Sequence, residues 1–432
     1  MTYKQLRGRR IAVLADTDSR WKWAAQVANR LHSATPVAGY QLSHSELPSR
    51  RQLLDAGMVP EQVRTVDPAE LVAALRAEPP DVLVVALPGG GVQATLHLLA
   101  AAELAERPLV LTGYVGVVYE RVVEGLLLRA GADVIAANSP SDHDRFRGIL
   151  TGAMIDPDCL ALTRLPFLGA PDGRGRLSVA GQHASGRFTV TFAGQPGVPA
   201  SRRDRRHLVD RLAGHARLHP ERDVVVKLRS LPGERVTHTE PHPYADLVRA
   251  LGASRPPNLK VAVGDMGSAL DRTDLLVTVS STAAAESIRR GVPTAILTDF
   301  GIRESLGNAY FLGSGCLAAF DDLDAGLQPA ADPRWARRHG LGIGIDELPG
   351  RVAQLLASRP LPPLRPFYTV ANAPAMLPGL LARYGLAADG RPLVQSEGVP
   401  DLVRTAVRTS ARKLYRHGAD VVAPALRKLA TL

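Results

Sequence analysis

Short apolar runs that end in turns of small or hydroxyl-bearing residues, each followed by a helical pattern, recur along this chain. That alternation restricts its fold more than any other feature. The clearest unit is Val277-Thr278-Val279-Ser280-Ser281-Thr282-Ala283-Ala284-Ala285-Glu286, running on into Gly291-Val292-Pro293-Thr294-Ala295-Ile296-Leu297. It reads as a strand, a hydroxyl-rich turn, a small-residue helix and a second strand. Comparable strand runs occupy residues 10–15, 37–42, 81–87, 109–113 and 132–137, and then 188–193, 223–227 and 259–263. Helical patterns fall between them at 21–31, 68–77, 92–105, 203–218 and 241–251. Buried strands alternating with helices predict parallel sheets covered on both faces. A chain of 432 residues is long for one core, and the Gly-rich polar stretch 169–186 is a natural divider. The expected organisation is therefore α/β, with domains over 1–170 and 186–340. Helices and a Pro-rich link (residues 359–366) follow over 341–432.

Composition narrows the function classes. Lys and Arg total 52 against 42 Asp and Glu, for a net charge of +10, but only 6 of the basic residues are lysines. Arginine enrichment of this kind follows coding composition as readily as it follows a binding partner. Aromatic residues make up 5%, and no basic-aromatic stripe or zinc-finger spacing occurs, so nucleic acid is not an expected partner. Cys159 and Cys316 are too few for a disulfide framework or a cysteine-rich zinc site, which suits a reducing cytoplasm. With 45% hydrophobic residues and no run of membrane-spanning length, the chain reads as globular. Its N-terminus lacks the pattern of a signal peptide.

Several polar residues stand where parallel strands should end, the side on which open α/β sheets bind ligands. Ser280, Ser281 and Thr282 open a helix, and helix N-termini attract anions through unpaired N–H groups and the macrodipole. Ser281 or Thr282 can equally be a plain helix cap. Lys227 and Arg229 leave the end of an apolar strand and supply cations for a diphosphate or phosphodiester. The loop after them contains His238 and, fifteen residues beyond Lys227, His242-Pro243 at the start of a helix. Asp16 and Asp18 follow the first strand as candidates for a general base, as a helix cap cluster or as a DxD metal pair. The turns at 89–91 and 113–114 are expected to line the same edge.

The unit around Ser280 resembles the C-terminal nucleotide-binding domain of GT-B glycosyltransferases. In that fold a strand, a Ser/Thr- or Gly-rich turn, an Ala/Glu helix and Gly-Val-Pro before the next strand cradle the donor's phosphates. Ser280-Ser281 with His242-Pro243 upstream is most similar to bacterial capsule and sialyltransferase enzymes. The superfamily likeness runs over about residues 10–340, and the whole chain resembles an uncharacterised actinobacterial family of glycosyltransferases.

The resemblance implies two Rossmann-like domains facing a central cleft. It also implies a nucleotide-sugar donor bound by Lys227, Arg229, His238, His242, Ser280, Ser281, Thr282 and Glu286, the last on the ribose. No second Glu stands at the spacing of retaining enzymes, which favours inversion, with Asp16 or Asp18 as general base and Glu120 in reserve. No metal and no other cofactor is expected, and the acceptor would be a cell-surface glycan or a lipid-linked sugar. Two other readings compete. A sugar-nucleotide 2-epimerase on the same plan would carry a Gly-Gly pair and a Glu-Glu where this chain has Ser281-Thr282 and Glu286. A non-catalytic scaffold would only bind.

Near the C-terminus Arg404, Arg408, Arg412 and Arg416 recur every fourth residue beside Val403, Val407 and Leu414. A basic amphipathic helix over 401–432 suits peripheral contact with an anionic membrane at its cytoplasmic face. The plainer reading is a helix packed back on the first domain with its arginines in solvent.

Overall fold

The computed structural model describes residues 8–31, 37–43, 47–117, 122–165, 186–228, 242–264, 266–342 and 346–393, together with residues 6, 168 and 240. The first half alternates β1 (Ile11–Ala15), α1 (Asp18–Arg30), β2 (Ala38–Leu42), α2 (Arg50–Asp55), β3 (Val63–Val66), α3 (Pro68–Ala77), β4 (Val82–Ala86) and α4 (Gly89–Ala101). It continues with β5 (Leu109–Gly113), α5 (Val122–Leu127), β6 (Val134–Ala137), α6 (Pro140–Gly152) and β7 (Leu160–Leu162). These strands form one sheet in the order β3-β2-β1-β4-β5-β6-β7, parallel throughout.

The second half repeats the plan. Its elements are β8 (Thr189–Ala193), α7 (Arg202–Leu218), β9 (Asp223–Lys227), α8 (Tyr244–Arg249), β10 (Leu259–Ala262), α9 (Met266–Leu270), β11 (Leu275–Thr278), α10 (Ala283–Arg289), β12 (Thr294–Leu297), β13 (Leu317–Ala318), α11 (Phe320–Asp324) and α12 (Pro333–Arg338). The sheet order is β10-β9-β8-β11-β12-β13, again parallel. Each sheet therefore has the Rossmann order, with a switch point where the direction of strand addition reverses: between β1 and β4, and between β8 and β11. The expected pair of Rossmann-like domains is present.

Strand burial follows the period of two. Along β1 and β4, Ala12, Leu14, Leu83 and Val85 enter one core, while Val13, Ala15, Val84 and Ala86 enter the other. Both faces are buried because helices cover both, which is why these strands read as unbroken apolar runs. After the second sheet the chain returns to the first. Leu348, Val352 and Leu356 of α13 (Leu348–Ala357) join the core beneath α1. Leu377, Leu380 and Leu381 of α14 (Leu377–Arg383) join the opposite core, against α4. The arginine-striped segment 401–432 lies outside the described residues. Among the described residues no helix is long and apolar enough to cross a membrane.

Some expectations need correcting. Gly89, Gly90 and Gly91 are not a strand-end turn but the first turn of α4, which starts three residues before the apolar pattern does. A Cβ at Gly89 would stand 2.9 Å from Leu128 Cδ1, and one at Gly91 3.0 Å from Leu87 Cβ. The missing side chains let this helix start sit close against β4 and the residues after α5. The sequence pattern also passed over β3, β7 and β13, which are edge or near-edge strands of two to four residues. It passed over α6 as well, although Ser139 at its N-cap accepts from the Asp142 N–H and Pro140 occupies its first turn.

Candidate active site

The carboxyl ends of the two sheets face one another. Thr282, just after β11, places its Cγ2 3.5 Å from where a Cβ on Gly116 would stand, in the loop after β5. Val117 of the same loop packs against the cluster that holds Ala284 and Ala285 of α10. Behind this contact Gly340 (φ +74°) abuts the Asn138 carbonyl, and Arg338 meets Asp144 at 3.3 Å.

On the second sheet, β9, β8 and β11 lie side by side, so Lys227, Gln195 and Ser280 share one edge. Gln195 bridges the switch point: its Oε1 accepts from the Ser280 N–H (3.0 Å), with the Ser280 hydroxyl at 3.2 Å. That hydroxyl also donates to the Leu306 carbonyl. Thr278 Oγ1 accepts from the Ser281 N–H (3.1 Å) and donates to the Ala193 carbonyl (2.9 Å). Ser281 Oγ accepts from the Ala283 N–H (3.2 Å) and so caps α10, with Thr282 exposed at the N-cap position and making no side-chain cap bond. Much of the donor capacity expected for an anion in this turn is thus spent on fixing the turn itself. Glu286 lies one turn into α10, half-buried.

Lys227 is tied into the edge by its own ammonium. It is 4% exposed, and its Nζ donates to the carbonyls of Leu228 (2.7 Å) and Gly264 (2.8 Å), tying the ends of β9 and β10 together. Arg229 and His238 lie outside the described residues. His242 is brought to the edge through its backbone, because its carbonyl accepts from Arg205 Nη1 at 3.0 Å. Arg205 is wholly buried. It also donates to the carbonyls of Gln195 (2.8 Å), Pro199 (2.8 Å) and Pro196, pairs with Glu240, and lies 4.7 Å from the Tyr244 ring centroid. One guanidinium therefore binds the β8–α7 loop to the His242-Pro243 segment.

On the first sheet, Asp16 emerges from β1 beside the end of β4, at that sheet's switch point. Its carboxylate pairs with Arg20 at 2.8 Å. Asp18 is the first residue of α1 and accepts from the Ser19 hydroxyl at 3.3 Å. Glu120 lies outside the described residues. At the ends of β5 and β6, Asn138 Nδ2 donates to the carbonyls of Tyr114 (2.7 Å) and Gly116 (3.3 Å). Asp142 is 7% exposed and its carboxyl is pushed up to about 6 by burial, against the opposing pull of the Ser139 hydroxyl at 2.9 Å. Burial, and after it the charge of Asp142, push the Tyr310 hydroxyl of the second half upward. Among the described residues no three His, Cys, Asp or Glu side chains gather as a metal site.

Gln195, Arg205, Asn138 and Asp142 were not among the sequence candidates. The signal for Gln195 and Asn138 was available, since both stand within two residues of the end of an apolar strand. Nothing local marks Arg205, one of many arginines on a basic helix.

No curated protein matches the sequence. Solved structures show likeness at low identity. The UDP-GlcNAc 2-epimerase of Neisseria meningitidis bound to UDP-GlcNAc shares 11% identity, with 81% of this chain and 98% of that one covered at a TM-score of 0.48. The UDP-GlcNAc 2-epimerase of Methanocaldococcus jannaschii in complex with UDP-GlcNAc and UDP shares 12%, covering 76% and 98% at 0.46. The spinosyn rhamnosyltransferase SpnG shares 13%, covering 82% and 97% at 0.42. The strand orders, rather than these likenesses, define the fold. A family model described as "Putative glycosyltransferase (DUF6716)" matches residues 11–355, which span every strand of both sheets, and the chain belongs to that family.

Proposed function

We propose that the protein transfers a sugar from a nucleotide-activated donor to a cell-surface glycan or lipid-linked acceptor on the cytoplasmic side of the membrane, with inversion and without a bound metal. The donor lies on the carboxyl edge of the second sheet, against the 280–282 turn and His242, with Glu286 on the ribose. Arg229 and His238 belong to the segment that leads to His242 and are assigned to the donor's phosphates. The acceptor lies on the first sheet, where Asp16 or Asp18 takes the proton from the attacking hydroxyl as the nucleoside phosphate leaves. Arg20 holds the Asp16 carboxylate in place through their ion pair. The observation that most supports this reading is the opposition of two Rossmann-ordered sheets by their carboxyl edges, in a chain of a glycosyltransferase family.

The test is release of nucleoside phosphate from a panel of sugar nucleotides, with and without an envelope extract. Acceptor-dependent release is expected. Asp16→Asn or Asp18→Asn should lower the rate by about a hundredfold to ten-thousandfold while leaving nucleotide affinity intact. Full activity in both variants moves the base elsewhere. Isomerisation of the donor sugar without any acceptor would instead make the protein an epimerase, and nucleotide binding without turnover would make it a scaffold.

A further inference from the structure

We infer that Gln195 is a ligand-binding residue whose side-chain amide donates to a phosphate oxygen of the donor's nucleoside diphosphate. The inference rests on the reading of the second sheet as the donor side. Gln195 is the second residue after β8, in the first strand–helix turn of a Rossmann-ordered sheet, and in that order this turn is where the backbone approaches a diphosphate. Its amide orientation is determined by its partner. The Ser280 N–H can only donate, so the Gln195 atom 3.0 Å from it is Oε1, and the NH2 group occupies the opposite branch. Gln195 is half-buried, and no described residue accepts from Nε2.

The main chain around this amide is also held. Arg205, wholly buried, takes the Gln195 and Pro199 carbonyls at 2.8 Å each. The preceding Gly194 leaves room for Tyr244, whose Cδ2 would lie 2.9 Å from a Cβ at that position. An amide fixed at backbone and oxygen offers its two N–H groups with little ordering cost on binding. Two neutral donors suit an oxygen that only accepts, as ionised phosphate oxygens do. Along the same edge, Lys227 spends donors on two carbonyls and the Ser280 hydroxyl is spent on Leu306. Gln195 keeps its pair for the crevice.

Gln195→Glu separates this role from a structural one. A carboxylate still accepts from Ser280 but presents an oxygen where the donors were, so the clamp survives and the ligand contact is reversed. Affinities of the full-length protein for UDP, GDP, dTDP and CDP, and for the corresponding nucleosides, are measured by calorimetry beside thermal melts. At pH 7.5 Gln195→Glu is expected to weaken the bound diphosphate at least thirtyfold, with an unchanged melting temperature and a much smaller effect on the nucleoside. Gln195→Ala, which adds no charge, is expected to lose at least fivefold and covers the case in which the Glu variant does not fold. Wild-type affinity in either folded variant overturns the inference, and an equal loss for diphosphate and nucleoside overturns the phosphate assignment. A wild-type protein that binds none of the panel overturns the donor-side reading itself, and the inference with it.

Discussion

Asp142 carries a burial cost that depends on pH. Its carboxyl holds a proton up to about 6 in the folded protein, against 3.8 for an ordinary aspartate. The folded state therefore binds more protons than the unfolded state between about pH 4 and 6. Stability from this group falls as pH rises through that window, and the penalty is complete above it. Asp142→Asn keeps an acceptor for the Ser139 hydroxyl and removes the charge. It is expected to raise the unfolding free energy by about 1–3 kcal/mol at pH 7.5 and to change it little at pH 4. Urea melts of both proteins across that range check this, and parallel curves at all pH values would show that Asp142 ionises without cost. Lys227 makes the complementary point. A lysine at a buried strand end is a candidate for an anion contact, and here its ammonium also donates to the Leu228 and Gly264 carbonyls. Its own neighbours in sequence do not reveal that Gly264, on the far side of β10, is within reach.

Among the elements, those legible from the sequence are the ones whose pattern is complete in one segment. Pro68–Ala77, Leu109–Gly113 and Asp223–Lys227 are observed at the expected bounds. An Asp67 capping box with Pro68 at the helix start marks the first, and unbroken apolar burial marks the second. Edge strands gave no such pattern. β3 is Val-Arg-Thr-Val with its middle exposed, and β13 is two residues long, so each is a strand only because a neighbour pairs with it. The C-terminal helices behave as parts of the first domain. Leu380 is 3% exposed, joins its core and stands 3.5 Å from where a Cβ on Gly90 would lie. Leu380→Ala is expected to cost about 2–5 kcal/mol of unfolding free energy, the scale of a large-to-small core change. A loss below about 0.5 kcal/mol in a chemical melt would mean that α14 is an appendage rather than a core element.

At the scale of the whole molecule, one glycine sits tightly packed in the junction of the two sheets. Gly340 has a φ of +74°, and a Cβ there would come within 2.5 Å of the Asn138 carbonyl oxygen, which is backbone and cannot swing away. Gly340→Ala is expected to lower stability by about 1–3 kcal/mol and to separate the carboxyl edges. Small-angle scattering would register the separation as a larger radius of gyration, and wild-type scattering and stability together would show that the junction yields without cost. The sequence by itself determined that strands and helices alternate, where most central strands end, and that hydroxyls, cations and carboxylates collect at those ends, because periodicity and capping act over a few residues. Only the tertiary structure decided which ends meet. Gln195 and Ser280 are separated by 85 residues, and they touch because β11 adds beside β8 at the reversal of the strand order. A half-buried polar group takes its partner from the neighbouring strand. The order of strands is set by crossovers and shared core burial across the domain, which no single segment of the chain encodes.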